Sequence, residues 1–146
     1  MRMYKKTSKT FSKFIHKALA LILQEFPYIK FKTESKFRKR LMQKNIHAII
    51  ALHKGRLVAF CEYALFKTSC RINAIVVAES FRGKGYGSKI LAYVLKNLPK
   101  RIKKVRVIVW NDNSAAIRLY KKFGFRYEKA YRPILGKNTS IFCLKL

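Results

Sequence analysis

The chain has 146 residues, half of them hydrophobic, which gives room for one ordinary domain with its own core. Its 34 Lys and Arg face only six Asp and Glu, a formal charge of +28, so anionic partners are drawn in and polycations repelled. No apolar run approaches the roughly eighteen residues of a membrane span, and the N-terminus lacks a secretory h-region. Cys61, Cys70 and Cys143 form no CxxC pair, and His16, His47 and His53 complete no zinc spacing, so free thiols and no metal are expected. A soluble, cytoplasmic protein without a membrane span follows from this reading. The first two dozen residues are basic and hydroxyl-bearing, as in a transit peptide, but the helix they encode belongs with the core. Nucleic acid, anionic membrane surfaces and phosphorylated cofactors are the partner classes that the charge favours.

No repeat or Pro/Gly/Ser-rich linker interrupts the chain, so residues 1–146 read as a single domain. Phe11, Phe14, Ile15, Ala18, Leu19, Ile22, Leu23 and Phe26 recur at helical spacing, with Thr10 as N-cap and Pro27 as a stop. A second helix starts near Ser35, with Phe37 and Leu41 inward and Lys36, Arg40 and Lys44 at four-residue intervals. That basic stripe reads either as a phosphate-contacting face or as a solvated one. IHAIIAL and RLVAFCEYALF flank a turn at Gly55 and form a hairpin; Arg71 to Val77 makes a third strand. After a glycine-rich turn, Ile90, Leu91, Val94, Leu95 and Leu98 define a helix, and Val105 to Trp110 a strand. Asn113 caps a helix bearing Ala116, Leu119, Tyr120 and Phe123, which Gly124 ends in a left-handed conformation. Two strands near Phe125–Tyr131 and Ser140–Leu146 complete a mixed sheet with helices on both faces.

The turn itself reads RGKGYGS, Arg82 to Ser88, between the valine-rich third strand and a helix. Gly83, Gly85 and Gly87 remove the Cβ atoms that would keep an anion from the main chain. Successive amides can then address phosphate oxygens at the positive end of the helix, with Arg82 and Lys84 adding charge. Close packing or a plain turn are the other uses of such glycines. A P-loop is excluded because Gly83-Lys84 is followed by glycine rather than Ser or Thr. A dinucleotide fingerprint is excluded because the stretch about twenty residues on, Arg101–Lys104, holds no acid.

INAIVVAESFRGKGYGSKIL followed by WNDNSAAIRLYKKFGF resembles the GNAT family of N-acetyltransferases. Arg82, Gly85 and Gly87 match its cofactor motif, and Asn113, Ala116, Tyr120, Gly124 and Phe125 its second motif. The resemblance covers roughly residues 46 to 128. It implies an α/β GNAT acyl-CoA N-acyltransferase fold whose central strands splay at the cofactor cleft. It further implies acetyl-CoA as cosubstrate, with its pyrophosphate on the amides of Arg82, Gly83, Lys84, Gly85, Tyr86, Gly87 and Ser88. Ile75, Val76 and Val77 would border the pantetheine arm, Ile75 and Val77 through main-chain hydrogen bonds that polarise the thioester carbonyl. Asn113 matches a position that touches the same arm, or it simply caps its helix.

Acetyl transfer needs a neutral attacking nitrogen and a proton donor for the departing thiolate. Tyr120 falls on the family tyrosine that serves as donor, although a tyrosine on an apolar helix face also suits a core. The bases of two familiar branches are missing, since their sites here are Arg71 and Ile108. Glu62 is the best remaining carboxylate, with Glu79, His53 or a water relay behind it, and each could equally be a local charge partner. Deprotonating a free lysine at pH 7 costs about 4.6 kcal/mol, against about 1 to 1.4 kcal/mol for an α-amine, so a site without a base suits the α-amine. The positive field argues against polyamines and aminoglycosides unless acids gather around Glu25, Glu34, Glu62 or Glu128. An amine on an anionic partner, such as a protein N-terminus in a ribonucleoprotein, fits better. Two readings stay open: an N-acetyltransferase acting on a protein or small-molecule amine, and a basic nucleic-acid-binding module on the same scaffold with weak or no transferase activity. Monomer and homodimer are both compatible with the sequence.

Overall fold

The computed structural model describes residues 1–146 and contains seven strands and four α-helices. Two compact units divide it: Met1–Tyr63 with Ala74–Asn97, and Ala64–Asn73 with Leu98–Leu146. No helix is long and apolar enough to cross a membrane.

The first unit contains β1 (Arg2–Lys5), α1 (Lys9–Glu25), α2 (Glu34–Leu41), β2 (Ile46–His53), most of β3 (Arg56–Leu65), the end of β4 (Ser69–Val77) and α3 (Tyr86–Lys96). Its strands hydrogen-bond in the order β1-β2-β3-β4. The sequence reading missed β1, because Arg-Met-Tyr-Lys has too few apolar residues to declare itself. It pairs antiparallel with β2 from Arg2↔Leu52 to Lys5↔Ile49. Lys6 pins the strand's end: its Nζ donates to the carbonyls of Leu41 (2.6 Å), Gln43 (3.1 Å) and Ile46. The cation thereby ties the last residue of α2, Leu41, to the first of β2, Ile46. Burial pulls the Lys6 ammonium below its ordinary pKa, and the Glu62 charge partly offsets this.

Phe11, Ile15, Ala18, Leu19 and Ile22 are buried along α1, as their spacing predicts, and Leu21 joins them. The cap is Ser8 rather than Thr10, since Ser8 Oγ accepts from the Phe11 amide at 3.0 Å. Thr33 caps α2, and Phe37 and Leu41 point inward. The predicted stripe of Lys36, Arg40 and Lys44 does not survive as one face. Lys44 lies past the end of α2, and Arg40 turns to Glu62. Between β2 and β3 the two-residue turn Lys54-Gly55 takes φ +50° and +75°, the mirror-image geometry whose twist suits a hairpin.

In the second unit the strand order is β4-β5-β7-β6, with β5 at Lys104–Trp110, β6 at Arg126–Ile134 and β7 at Lys137–Lys145. Ser69–Ile72 of β4 pair in parallel with Lys104–Val107 of β5. The other two ladders are antiparallel, β5 on β7 from Lys104↔Lys145 to Trp110↔Thr139, and β6 on β7. Val105, Val107 and Val109 alternate inward along β5 and are buried, with the buried Phe142 directly opposite Val107. Helix α4 (Ser114–Lys122) stops at Gly124, whose φ is +93° and whose missing Cβ would lie 3.3 Å from Leu144 Cδ1. Both β6 and β7 run further than predicted, to a tight turn at Leu135-Gly136. The three cysteines are free thiols, and burial pushes the pKa of Cys70 up to about 12.

Candidate active site

Three of the four helices begin under a side-chain cap: Ser8 on α1, Thr33 on α2, Asn113 on α4. The exception is α3. Its N-cap is Gly85, left-handed at φ +85°, with no side chain to offer. The first turn closes through Lys89 N donating to Gly85 O at 3.0 Å. The amides of Tyr86, Gly87 and Ser88 come before that bond, so no carbonyl of the helix can accept from them. Gly83 is left-handed too, at φ +75°, and a Cβ built on Gly83 or Gly85 would meet nothing within 4 Å. Glycine is therefore demanded by the backbone path, and the space beside it is open. An uncapped, positively polarised helix end with open space fits the phosphate oxygens of an acyl-CoA. Gly87 lies inside the first turn and outside the positive-φ set.

The side chains around the turn are cationic and aromatic. Phe81 lies beneath Arg56 (5.3 Å) and Lys84 (5.7 Å), and its ring meets Tyr86 edge-on at 5.8 Å. Tyr86 is buried, 6.0 Å from His53, with Lys89 over its ring at 5.4 Å. Of the predicted contact residues, Tyr86 thus packs its ring against Phe81, His53 and Lys89, with its amide in the first turn of α3. Partial desolvation, the N-terminal charge, Lys54, Lys89 and Lys84 together hold the His53 imidazole below its usual pKa. Arg82 is anchored: its Nε donates to the Val77 carbonyl at 3.1 Å and a terminal nitrogen meets Glu25 at 3.2 Å. Ile75 and Val77 are half-buried and Val76 is buried. Sequence reasoning missed Phe81, Arg56 and Lys89. Arg56 comes from the hairpin almost thirty residues upstream, and no local pattern marks it.

In the second unit, Asn113 is a cap in fact: its Oδ1 accepts from the Ala116 amide at 3.1 Å. Removing the cap by Asn113→Ala is expected to lower stability by about 1 kcal/mol, whereas Asn113→Asp keeps it. If Asn113 only caps, Asn113→Asp leaves the KM for acetyl-CoA unchanged; a raised KM with unaltered melting reveals a contact made by the amide. Tyr120 is buried on α4, its ring 5.4 Å from Phe125 at 61°, and its carbonyl accepts from the amides of Phe123 and Phe125. The α4 terminus thereby locks the segment that carries the ring.

Glu62 sits on β3 with its side chain almost fully buried. Arg40 grips it as a fork, Nε to Oε1 at 2.7 Å and a terminal nitrogen to Oε2 at 2.8 Å. The guanidinium also stacks over Phe31 at 4.7 Å, and its hydrogen bonds to Glu62 raise its pKa further. Both carboxylate oxygens are thus engaged by a cation.

Taken together, a glycine-paved turn opens an uncapped helix within an α/β chain, a geometry that suits a phosphorylated cofactor. Residues 15–125 match the Acetyltransferase (GNAT) family, and the chain belongs to it. A curated relative, spermine/spermidine N(1)-acetyltransferase of Bacillus subtilis, is 31% identical over 85 residues, 51% of this chain and 56% of that protein. The match thus spans little more than half of the relative's length. Among solved structures, the ribosomal-protein-S18-alanine N-acetyltransferase of Escherichia coli aligns with a TM-score of 0.76 at 18% identity, over 99% of this chain and 94% of that one. An aminoglycoside 6'-N-acetyltransferase complexed with coenzyme A aligns with a TM-score of 0.80 at 14% identity, over 99% and 97%. These likenesses bear out the GNAT fold expected from the motifs. Their acceptors differ, so the shared fold does not define the amine.

Proposed function

We propose that the chain is an acetyl-CoA-dependent N-acetyltransferase whose acceptor is a low-pKa amine, an α-amine above all, carried by an anionic partner. The observation that carries the transferase reading is the uncapped N-terminus of α3 behind left-handed Gly83 and Gly85, in a chain of this family. Acetyl-CoA supplies the acyl group as an activated thioester. The amides of Gly85 to Ser88 bind its diphosphate, with Lys84 and Lys89 contributing charge. Main-chain groups of Ile75 and Val77 hold the pantetheine arm; the register of β4 with β5 ends earlier, at Ile72. Tyr120 Oη gives up a proton to the leaving sulfur, and the attacking nitrogen arrives already neutral.

The distribution of acids supports this acceptor class. Glu25, Glu34, Glu62 and Glu128 are each held by an arginine, Arg82, Arg38, Arg40 and Arg106, at 3.2, 2.9, 2.7 and 2.9 Å. None of the four is left to assemble an acidic pocket for a polycation, and the surrounding field repels one. On this reading the polyamine chemistry named for the B. subtilis relative is not expected of this chain, and the comparison with spermidine below tests it.

Two measurements test the reading. Acetyl-CoA at about a hundred times its Kd is expected to stabilise the wild type by about 2.7 kcal/mol in thermal unfolding. Gly85→Asp, which puts a carboxylate where the diphosphate binds, is expected to abolish that stabilisation. Thiol release with peptides bearing a free α-amine should exceed that with spermidine or an aminoglycoside. Faster release with spermidine overturns the acceptor assignment, and stabilisation retained by Gly85→Asp overturns the cofactor site.

A further inference from the structure

Arg56, Arg82, Lys84 and Lys89 surround the α3 turn, and an acid holds only one of them. Arg82 is tied to Glu25 and to the Val77 carbonyl. Arg56, Lys84 and Lys89 form no ion pair, and Glu79, the one acid between residues 78 and 97, pairs with none of them. Rings hold their charged ends instead. Arg56 and Lys84 lie 5.3 and 5.7 Å from the centre of Phe81, and Lys89 lies 5.4 Å from that of Tyr86. The two rings meet edge-on, so one aromatic pair gathers all three cations. The cations are exposed, whereas Phe81 is half-buried and Tyr86 buried.

Like charges gathered without an acid repel one another, and an anion that joins them relieves the repulsion. The neighbouring His53 reports the same field. Desolvation and four positive charges, the N-terminus, Lys54, Lys89 and Lys84, depress the pKa of its imidazole, whose ring lies 6.0 Å from Tyr86. Lys84 and Lys89 belong to the turn and its helix, but Arg56 opens β3 and reaches Phe81 only through the fold. The diphosphate is already assigned to the amides of Gly85 to Ser88. An acyl-CoA carries a further phosphate, a dianionic monoester one ribose away from that diphosphate. Such a group favours cations over amides, because charge-assisted hydrogen bonds to it are the strong ones and an arginine fork offers two at once.

We propose that Arg56 and Lys84 form a second anion seat beside the α3 turn, which takes the ribose 3'-phosphate of the coenzyme and selects acetyl-CoA over its 3'-dephospho form. Phe81 is the platform on which the two cations rest; its ring is covered by them and is not offered to the adenine. Lys89, one turn into α3, stays with the diphosphate. The inference rests on the transferase reading, because only a coenzyme seated on the amides delivers a further phosphate to Arg56.

Calorimetric titration with acetyl-CoA and with acetyl-3'-dephospho-CoA, ligands that differ by one phosphate, reads the seat without turnover. The wild type should bind acetyl-CoA roughly tenfold or more tighter, the scale of a hydrogen bond to a charged group. Arg56→Gln should lower that ratio several-fold and leave the affinity for the dephospho form unchanged. Arg56→Lys, which keeps the charge without the fork, should fall between them. Lys9→Gln takes the same charge from an exposed position of α1 outside the cluster and should not move the ratio. Because Arg56 is exposed, the ratio should also shrink as salt rises, and its Gln variant should melt with the wild type. Gly85→Asp should lose both ligands, since it blocks the diphosphate. The seat is overturned, and the transferase reading left standing, by equal binding of the two ligands to the wild type, by equal losses for both in Arg56→Gln, or by a ratio that Lys9→Gln lowers as much. Binding of neither ligand overturns that reading and the seat with it.

Discussion

Glu62→Ala is expected to lower the free energy of unfolding by about 3–5 kcal/mol, the loss typical when one partner of a buried ion pair is removed. Arg40 would stay behind, half-buried against Phe31 without its carboxylate. Lys6 would lose the negative charge that offsets its own desolvation, so the strain reaches the β1 end as well. Glu62→Gln keeps an oxygen for one arm of the fork and should lose less. Urea denaturation of the three proteins measures this directly. The same variants decide whether Glu62 takes a proton in the reaction. A carboxylate gripped through both oxygens by a guanidinium is a structural anchor, so Glu62→Gln, where folded, should not show the roughly 10²–10⁴-fold fall in kcat that follows loss of a general base. A fall of that size in a fully folded Glu62→Gln would restore Glu62 as the base.

The turn was legible because it rests on properties of single residues. Gly83 and Gly85 adopt φ values that other residues resist, and a bare glycine at the helix start declares an uncapped end. Periodicity likewise exposed α1, α3 and the valines of β5, since each alternates or recurs on one buried face. What escaped was decided at long range. Strand β1 exists because β2 offers it a ladder and Lys6 meets the carbonyls between the end of α2 and the start of β2, and neither fact is written in Arg-Met-Tyr-Lys. Arg40 left the predicted basic stripe because Glu62, 22 positions later, needed a partner in the interior. In the second unit Arg71, Arg106 and Arg126 come onto one face only through the strand order β4-β5-β7-β6. Local pattern cannot announce that order, because the crossover that produces it is a tertiary choice.

The assignment of Tyr120 stands on a change of one atom. Tyr120→Phe preserves the ring that packs edge-on against Phe125 and the carbonyl that ends α4, so the fold should tolerate it within about 1 kcal/mol. With only the hydroxyl gone, kcat is expected to fall about 10²–10⁴-fold, the range for loss of a positioned proton donor. The KM for acetyl-CoA and the thermal stabilisation by it should stay at wild-type values, because the proposal assigns the grip to the amides of the α3 turn. This split separates Tyr120 from Gly85, whose replacement by Asp is expected to remove binding itself. A tyrosine that merely fills the core would give the opposite pattern, with full turnover in the Phe variant. Steady-state kinetics on the best α-amine peptide, with melting curves taken with and without acetyl-CoA, distinguishes the two.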